Sequence, residues 1–113
     1  MEMDTPKKVL QCAFGFNKFR PGQREIIDLL VSGSNVLAVM PTGAGKSMCY
    51  QIPAVLSKKL TIVISPLVAL MDDQVAGLRA NGINSACIHS GMPREDQKKA
   101  WFDIKSGTSR LLY

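Results

Sequence analysis

The sequence predicts an α/β fold: a parallel β-sheet flanked by helices. Three observations carry that expectation. Apolar runs without polar alternation, at residues 35–40 and 60–64, are interleaved with segments whose apolar residues recur at helical spacing. Such unalternated runs suit strands covered on both faces, as in parallel sheets. The glycine-rich stretch Gly43-Ala44-Gly45-Lys46-Ser47 falls where the first run passes into a helical segment, and open α/β sheets bind ligands beyond the carboxyl ends of their strands.

Each element has a local signal. Thr5-Pro6 reads as a helix cap followed by proline at the first helical position. Val9, Leu10, Ala13 and Phe14 then recur on one face, and Gly15 ends the helix. Residues 16–22 form a loop. Pro21 opens a second helix carrying Ile26, Ile27, Leu30 and Val31, closed by Gly33. Residues 35–40 are the first strand. The helix after the glycine-rich stretch carries Met48, Ile52, Val55 and Leu56, with Pro53 inside it to kink or shorten it. Residues 60–64 are a second strand. Ser65-Pro66 repeats the cap-plus-proline signal for a helix that runs to Asn81-Gly82. Residues 85–88 are a third strand. Residues 93–106 are a helix with Glu95 and Asp96 early and Lys105 late, as the helix dipole favours. Residues 110–113 begin a fourth strand.

Composition bounds the reading. A chain of 113 residues holds one modest core at most. With 46% hydrophobic and 20% charged residues it is neither disordered nor low-complexity. No apolar run approaches the ~20 residues of a membrane span, and no signal-peptide core follows Met1-Glu2-Met3-Asp4. A net charge of +5 favours anionic partners mildly. Cys12, Cys49 and Cys87 form no Cys-x-x-Cys pair and the chain has one histidine, His89, so neither a disulfide framework nor a zinc knuckle is expected. All three cysteines sit among apolar residues and read as buried thiols. His89 reads as a loop residue with no visible partner.

Gly43-Ala44-Gly45-Lys46-Ser47 carries the chemistry. Glycines let several backbone N–H groups converge on phosphate oxygens, and the following helix presents its positive end. Lys46 is placed to reach the β- and γ-phosphates, and the Ser47 hydroxyl to ligate Mg²⁺. The strict pattern fails at one position, where Met40 replaces the first glycine.

With Pro41 and Thr42 before it, this loop resembles the first motif of superfamily 2 helicases. Its continuation, Met48-Cys49-Tyr50-Gln51-Ile52-Pro53-Ala54, narrows the resemblance to the RecQ family of DNA helicases. Phe14-Gly15-Phe16-Asn17-Lys18-Phe19-Arg20-Pro21-Gly22-Gln23 is similar to that family's adenine-recognition motif. Ile64-Ser65-Pro66-Leu67-Val68-Ala69-Leu70-Met71-Asp72-Asp73-Gln74-Val75 is similar to its motif Ia, and Arg110-Leu111-Leu112-Tyr113 to the strand leading toward motif Ib. DEAD-box RNA helicases share the phosphate loop but fit the other blocks less well.

The resemblance implies an incomplete RecA-like phosphate-loop NTPase domain that lacks its later strands. Residues 1–113 would be the N-terminal part of a helicase ATP-binding domain, with adenine-recognition helices and loop at 1–33 and the phosphate-loop α/β core at 34–113. It implies ATP and Mg²⁺ as cofactors. Pro41, Thr42, Gly43, Ala44, Gly45, Lys46 and Ser47 would hold the triphosphate, Lys46 would be catalytic and Ser47 the metal ligand. Gln23 would hydrogen-bond adenine, with Arg20 and Phe16 flanking the base. Phe16 is equally open to packing in the core. Ser65, Pro66 and Leu67 would sit near single-stranded DNA, although Ser65-Pro66 is already explained as a helix cap. The implied partners are single-stranded or partly duplex DNA and the remaining helicase domains, with no membrane. The implied activity is ATP-dependent 3′–5′ unwinding in DNA repair and recombination, in the bacterial cytoplasm and nucleoid or in a eukaryotic nucleus. The family's Asp-Glu-x-His motif would lie beyond Tyr113, so the 113 residues alone are expected neither to hydrolyse ATP nor to unwind DNA. Two other classes stay open: a small phosphate-loop enzyme such as a nucleotide kinase, and a non-catalytic nucleotide- or DNA-binding module.

Overall fold

The computed structural model describes residues 3–41, 43–57 and 59–113. The chain forms two compact units, Met1–Lys58 and Lys59–Tyr113.

The first unit is helical. Helix α1 spans Pro6–Phe14, α2 Gln23–Val31 and α3 Lys46–Leu56. The Thr5 backbone is extended and its Oγ1 accepts the Lys8 N–H at 3.2 Å, a cap worth about 1 kcal/mol. Gly15, at φ 74°, ends α1 by donating its N–H to the Leu10 carbonyl. Helix α3 packs against both α1 and α2. Val9, Leu10, Ile27 and Ile52 are fully buried at that junction. Pro53 does not stop α3, which continues to Leu56. A proline this near a helix end forfeits only one hydrogen bond.

The second unit is α/β. Strand β1 is Thr61–Ile62, α4 Val68–Ala80, β2 Ser85–Ala86, α5 Arg94–Lys105 and β3 Leu111–Leu112. The strands form one parallel sheet in the order β1-β3-β2. Thr61 and Ser85 flank Leu111, and Ile62 and Ala86 flank Leu112. Parallel neighbours need long crossovers, and α4 and α5 supply them. Both helices pack on β2. Met71, Val75 and Leu78 from α4, Ala100 from α5, and Ile83, Ala86, Leu111 and Tyr113 form the core. The expected parallel sheet flanked by helices is therefore present.

Three expectations need correction. Residues 35–40 form no strand. They leave Leu37 93% and Val39 91% exposed. An apolar run records a demand for burial, whereas a strand also needs a partner edge, and among its described residues the first unit contains no strand. Helix α4 starts at Val68 rather than at Pro66. The Ser65 Oγ accepts the Leu67 N–H at 3.3 Å, so the serine closes a local turn before the helix begins. Cys12 is exposed, while Cys49 and Cys87 are buried and none of the three is in a disulfide. Cys12 lies on α1 with Val9, Leu10 and Ala13, but these three alone face inward.

Leu111 in the central strand is 0% exposed. Leu111→Ala should cost roughly 2–5 kcal/mol in urea denaturation, and Leu37→Ala less than about 0.5 kcal/mol. Equal losses at the two positions would contradict this assignment of the core.

Candidate functional site

In the first unit the glycine-rich loop is tied to the start of α2. Gln23 is the first residue of α2, and its side chain is buried at 2% exposure. Its Oε1 accepts the Arg20 N–H at 2.8 Å, and its Nε2 donates to the Gly45 carbonyl at 3.0 Å. Both ends of a buried amide are thus satisfied, which offsets the cost of burying it. The Arg20 guanidinium donates to the Gly43 carbonyl. Two carbonyls of the loop are therefore held by one short segment.

The loop itself turns through Gly43 at φ 83° and Gly45 at φ 79°. Ala44 donates its N–H to the Pro41 carbonyl at 3.2 Å, closing a tight turn. Gly45 then caps α3, and among the described residues no side chain caps that helix end. A Cβ at Gly45 would collide with the Gln23 Nε2, while meeting the Arg20 Cδ only at ordinary contact distance. The glycine is required here twice, by its left-handed backbone and by the close approach of Gln23.

The other residues expected at this site distribute as follows. Lys46 and Ser47 occupy the first turn of α3, Lys46 exposed and Ser47 half-buried. Pro41 is exposed. Thr42 lies outside the described residues. Phe16 is exposed in the loop between α1 and α2. A cavity of about 670 Å³ opens beside the loop, bounded by Arg20, Pro21, Glu25, Leu29, Gly43 and Ala44. Behind the loop, the buried Cys49 Sγ lies 4.0 Å from the Met40 sulfur and 3.9 Å from the Gly45 carbonyl. Burial pushes the Cys49 thiol above its ordinary pKa, so it stays protonated at neutral pH.

Ser65, Pro66 and Leu67 lie in the second unit, in the turn between β1 and α4. Ser65 is half-buried, and Pro66 and Leu67 are exposed. The Leu67 N–H is already taken by Ser65. The sequence reading missed a cluster in this unit. His89 does have a partner: its Nε2 lies 3.5 Å from Asp72 Oδ1, and Cys87 lies beside both. No spacing pattern joins residues from a helix, a strand end and a loop, so only the fold brings them together.

The second unit is thus a parallel α/β sheet with helices, and the first carries a glycine turn leading into the start of α3. The family model for DEAD/DEAH box helicases matches residues 20–113. The chain belongs to the DEAD/DEAH box helicase family. It is 46% identical over its whole length to the ATP-dependent DNA helicase RecQ of Haemophilus influenzae, covering 18% of that protein. It is 47% identical over 96% of its length to the RecQ of Pasteurella multocida, covering 17% of it. With human ATP-dependent DNA helicase Q4 it shares 44% identity over 96% of its length, covering 9% of that protein. The resemblance to RecQ helicases is borne out by these identities. The chain spans less than a quarter of the length of these relatives. Among the described residues, no helix is long and apolar enough to cross a membrane.

Gly45→Ala should lower stability by more than about 1 kcal/mol, through left-handed strain and the collision with Gln23. Gly77→Ala, in α4 with open space around its Cβ position, should raise stability by about 0.5–1 kcal/mol. Chemical denaturation of the two variants checks both signs.

Proposed function

We propose that the chain is the N-terminal part of a RecQ-type, ATP-dependent 3′–5′ DNA helicase and that its first unit binds Mg-ATP. The observation that carries this reading is the start of α3. Its loop folds through left-handed glycines onto a helix end that, among the described residues, no side chain caps. Unpaired N–H groups and the positive end of the helix suit a triphosphate. Lys46 adds a cation at that end. The Ser47 hydroxyl, in the first turn of the same helix, fits a ligand of Mg²⁺, which when bound would neutralise phosphate charge. Arg20 and the exposed Phe16 would flank the base.

Gln23 has a double task in this reading. One acceptor lone pair serves Arg20 and one N–H serves Gly45. A carboxamide has two of each, so the remaining pair would read the adenine edge. Adenine recognition and loop position then share one side chain.

The turn holding Ser65, Pro66 and Leu67, with Pro66 and Leu67 exposed, would lie against single-stranded DNA ahead of the start of α4. DNA as substrate, the remaining helicase domains as partners and an intracellular setting follow from the same reading. The 113 residues by themselves would bind nucleotide without turning it over or unwinding DNA.

Calorimetric titration of the chain with nucleotide tests this. Mg-ATP should bind and GTP should not. Lys46→Ala should weaken binding at least roughly tenfold, as loss of a charge-assisted hydrogen bond implies. Gln23→Ala should weaken it as well. A folded chain that binds neither nucleotide, or binds ATP and GTP alike, would overturn the reading.

A further inference from the structure

The second unit contains a group of side chains that the nucleotide reading does not use. Asp72 projects from α4, Cys87 follows β2, and His89 lies in the loop leading to α5. One ligand atom from each lies within 4.8 Å of the other two. We propose that Asp72, Cys87 and His89 form a binding site for a borderline transition-metal cation, with Zn²⁺ the best fit.

Three features of the geometry support the site. A thiolate, an imidazole and a carboxylate are the donors Zn²⁺ prefers, and three protein ligands leave a fourth position for water. The His89 Nε2 and Asp72 Oδ1 stand 3.5 Å apart. With metal bonds of about 2.0–2.1 Å, the edge of a tetrahedron is about 3.3–3.4 Å, so these two groups need to move only a few tenths of an ångström. The three residues also differ in exposure in a way that suits a site with an entrance. Cys87 is buried, the His89 side chain is 13% exposed and that of Asp72 59%. A cavity of about 600 Å³, bounded by Asp72, Arg79, Ser85, Cys87, Met92 and Lys99, leads to the thiol.

Without a cation the three groups form a close polar cluster. Burial and the neighbouring Asp72 carboxylate push the Cys87 thiol above its ordinary pKa. The His89 Nδ1 accepts the Gly91 N–H at 3.2 Å. That contact assigns the imidazole proton to Nε2, facing Asp72. A cation would replace both protons on the carboxylate side. The thiol proton would leave to solvent, and the imidazole proton would move to Nδ1. The charge of the ligand set, one thiolate and one carboxylate, then matches a divalent ion. Arg79 is the nearby cation that opposes binding, but its Nε is fixed on the Ser85 carbonyl at 3.0 Å.

The proton shift has a visible consequence. Once Nδ1 carries a proton it can no longer accept from Gly91, so the Gly91 peptide must turn away. The flanking loop stays in place, because the Gln97 Nε2 donates to the His89 carbonyl at 3.3 Å and to the Met92 carbonyl at 3.2 Å. Metal binding should therefore register at the Gly91 amide and hardly at Gln97.

Titration of the 113-residue chain with Co²⁺, followed by competition with Zn²⁺, tests the proposal. One Co²⁺ per chain should bind with a thiolate-to-cobalt absorption band that Zn²⁺ abolishes, and Zn²⁺ should shift the Gly91 amide resonance. Cys87→Ser should remove the band and Cys12→Ser should leave it. Asp72→Asn and His89→Gln should each weaken binding at least roughly tenfold. Asp72 is largely exposed, so Asp72→Asn keeps the test decisive if Cys87→Ser fails to fold. Absence of the band, its loss in Cys12→Ser, or undiminished affinity in Asp72→Asn and His89→Gln would each overturn the proposal and leave a polar cluster only.

Discussion

A carboxamide buried among helices must find partners for both its ends, and Gln23 finds them at Arg20 and at Gly45 of the glycine-rich loop. Its oxygen holds the Arg20 N–H and its nitrogen holds the Gly45 carbonyl, so the amide joins the loop before α2 to the start of α3. The Arg20 guanidinium adds a second tie at Gly43. Breaking one of these bonds would leave a buried polar group unpaired, at a cost of about 1–3 kcal/mol. The path of the loop follows from that penalty. So does the demand for glycine at position 45, where a side chain would occupy the space of the Gln23 amide. The uncapped first turn of α3, with Lys46 and Ser47 on it, is aimed by the same contacts.

The second unit is organised by its middle strand. Strand β3 pairs with β1 on one side and β2 on the other. The Arg110 carbonyl, the Leu112 carbonyl and the Tyr113 N–H extend the ladder beyond the two-residue strands. Such short strands are held mainly by what packs on them, here α4 and α5 through Met71, Val75, Leu78 and Ala100. The same packing brings Asp72 to the end of β2 and so to Cys87 and His89. Neither Asp72 nor Cys87 is near the other in sequence, and the sheet supplies their proximity.

Much of this was legible in the residues. Thr5-Pro6 and Gly15 set both ends of α1 where they fall, because caps act locally and their chemistry is short-range. The acidic start and basic end of α5 are legible for the same reason. The glycine loop was legible because its spacing is a backbone requirement. Other features depend on partners that no local pattern reveals. The run at 35–40 has the composition of a strand but, among the described residues, no strand beside it in its unit. Ser65 looks like a helix cap and instead closes the turn ahead of α4. Cys12 sits among apolar neighbours in sequence yet points outward. Gln23, legible as a candidate base reader through family resemblance, proved also to brace the loop, a role only the packed helices expose.

The bracing by Gln23 is tested most directly by amide hydrogen exchange in a Gln23→Leu variant, which keeps the helix and the volume but removes both hydrogen bonds. If the carboxamide holds the loop, the Arg20 amide should exchange at least about tenfold faster than in the parent chain, matching the loss of roughly 1.4 kcal/mol of local protection. The Ala44 amide, closed on Pro41, should follow it, while the Val9 amide in α1 should not change. Unchanged exchange at Arg20 and Ala44 would contradict the claim and show that the loop keeps its path without Gln23.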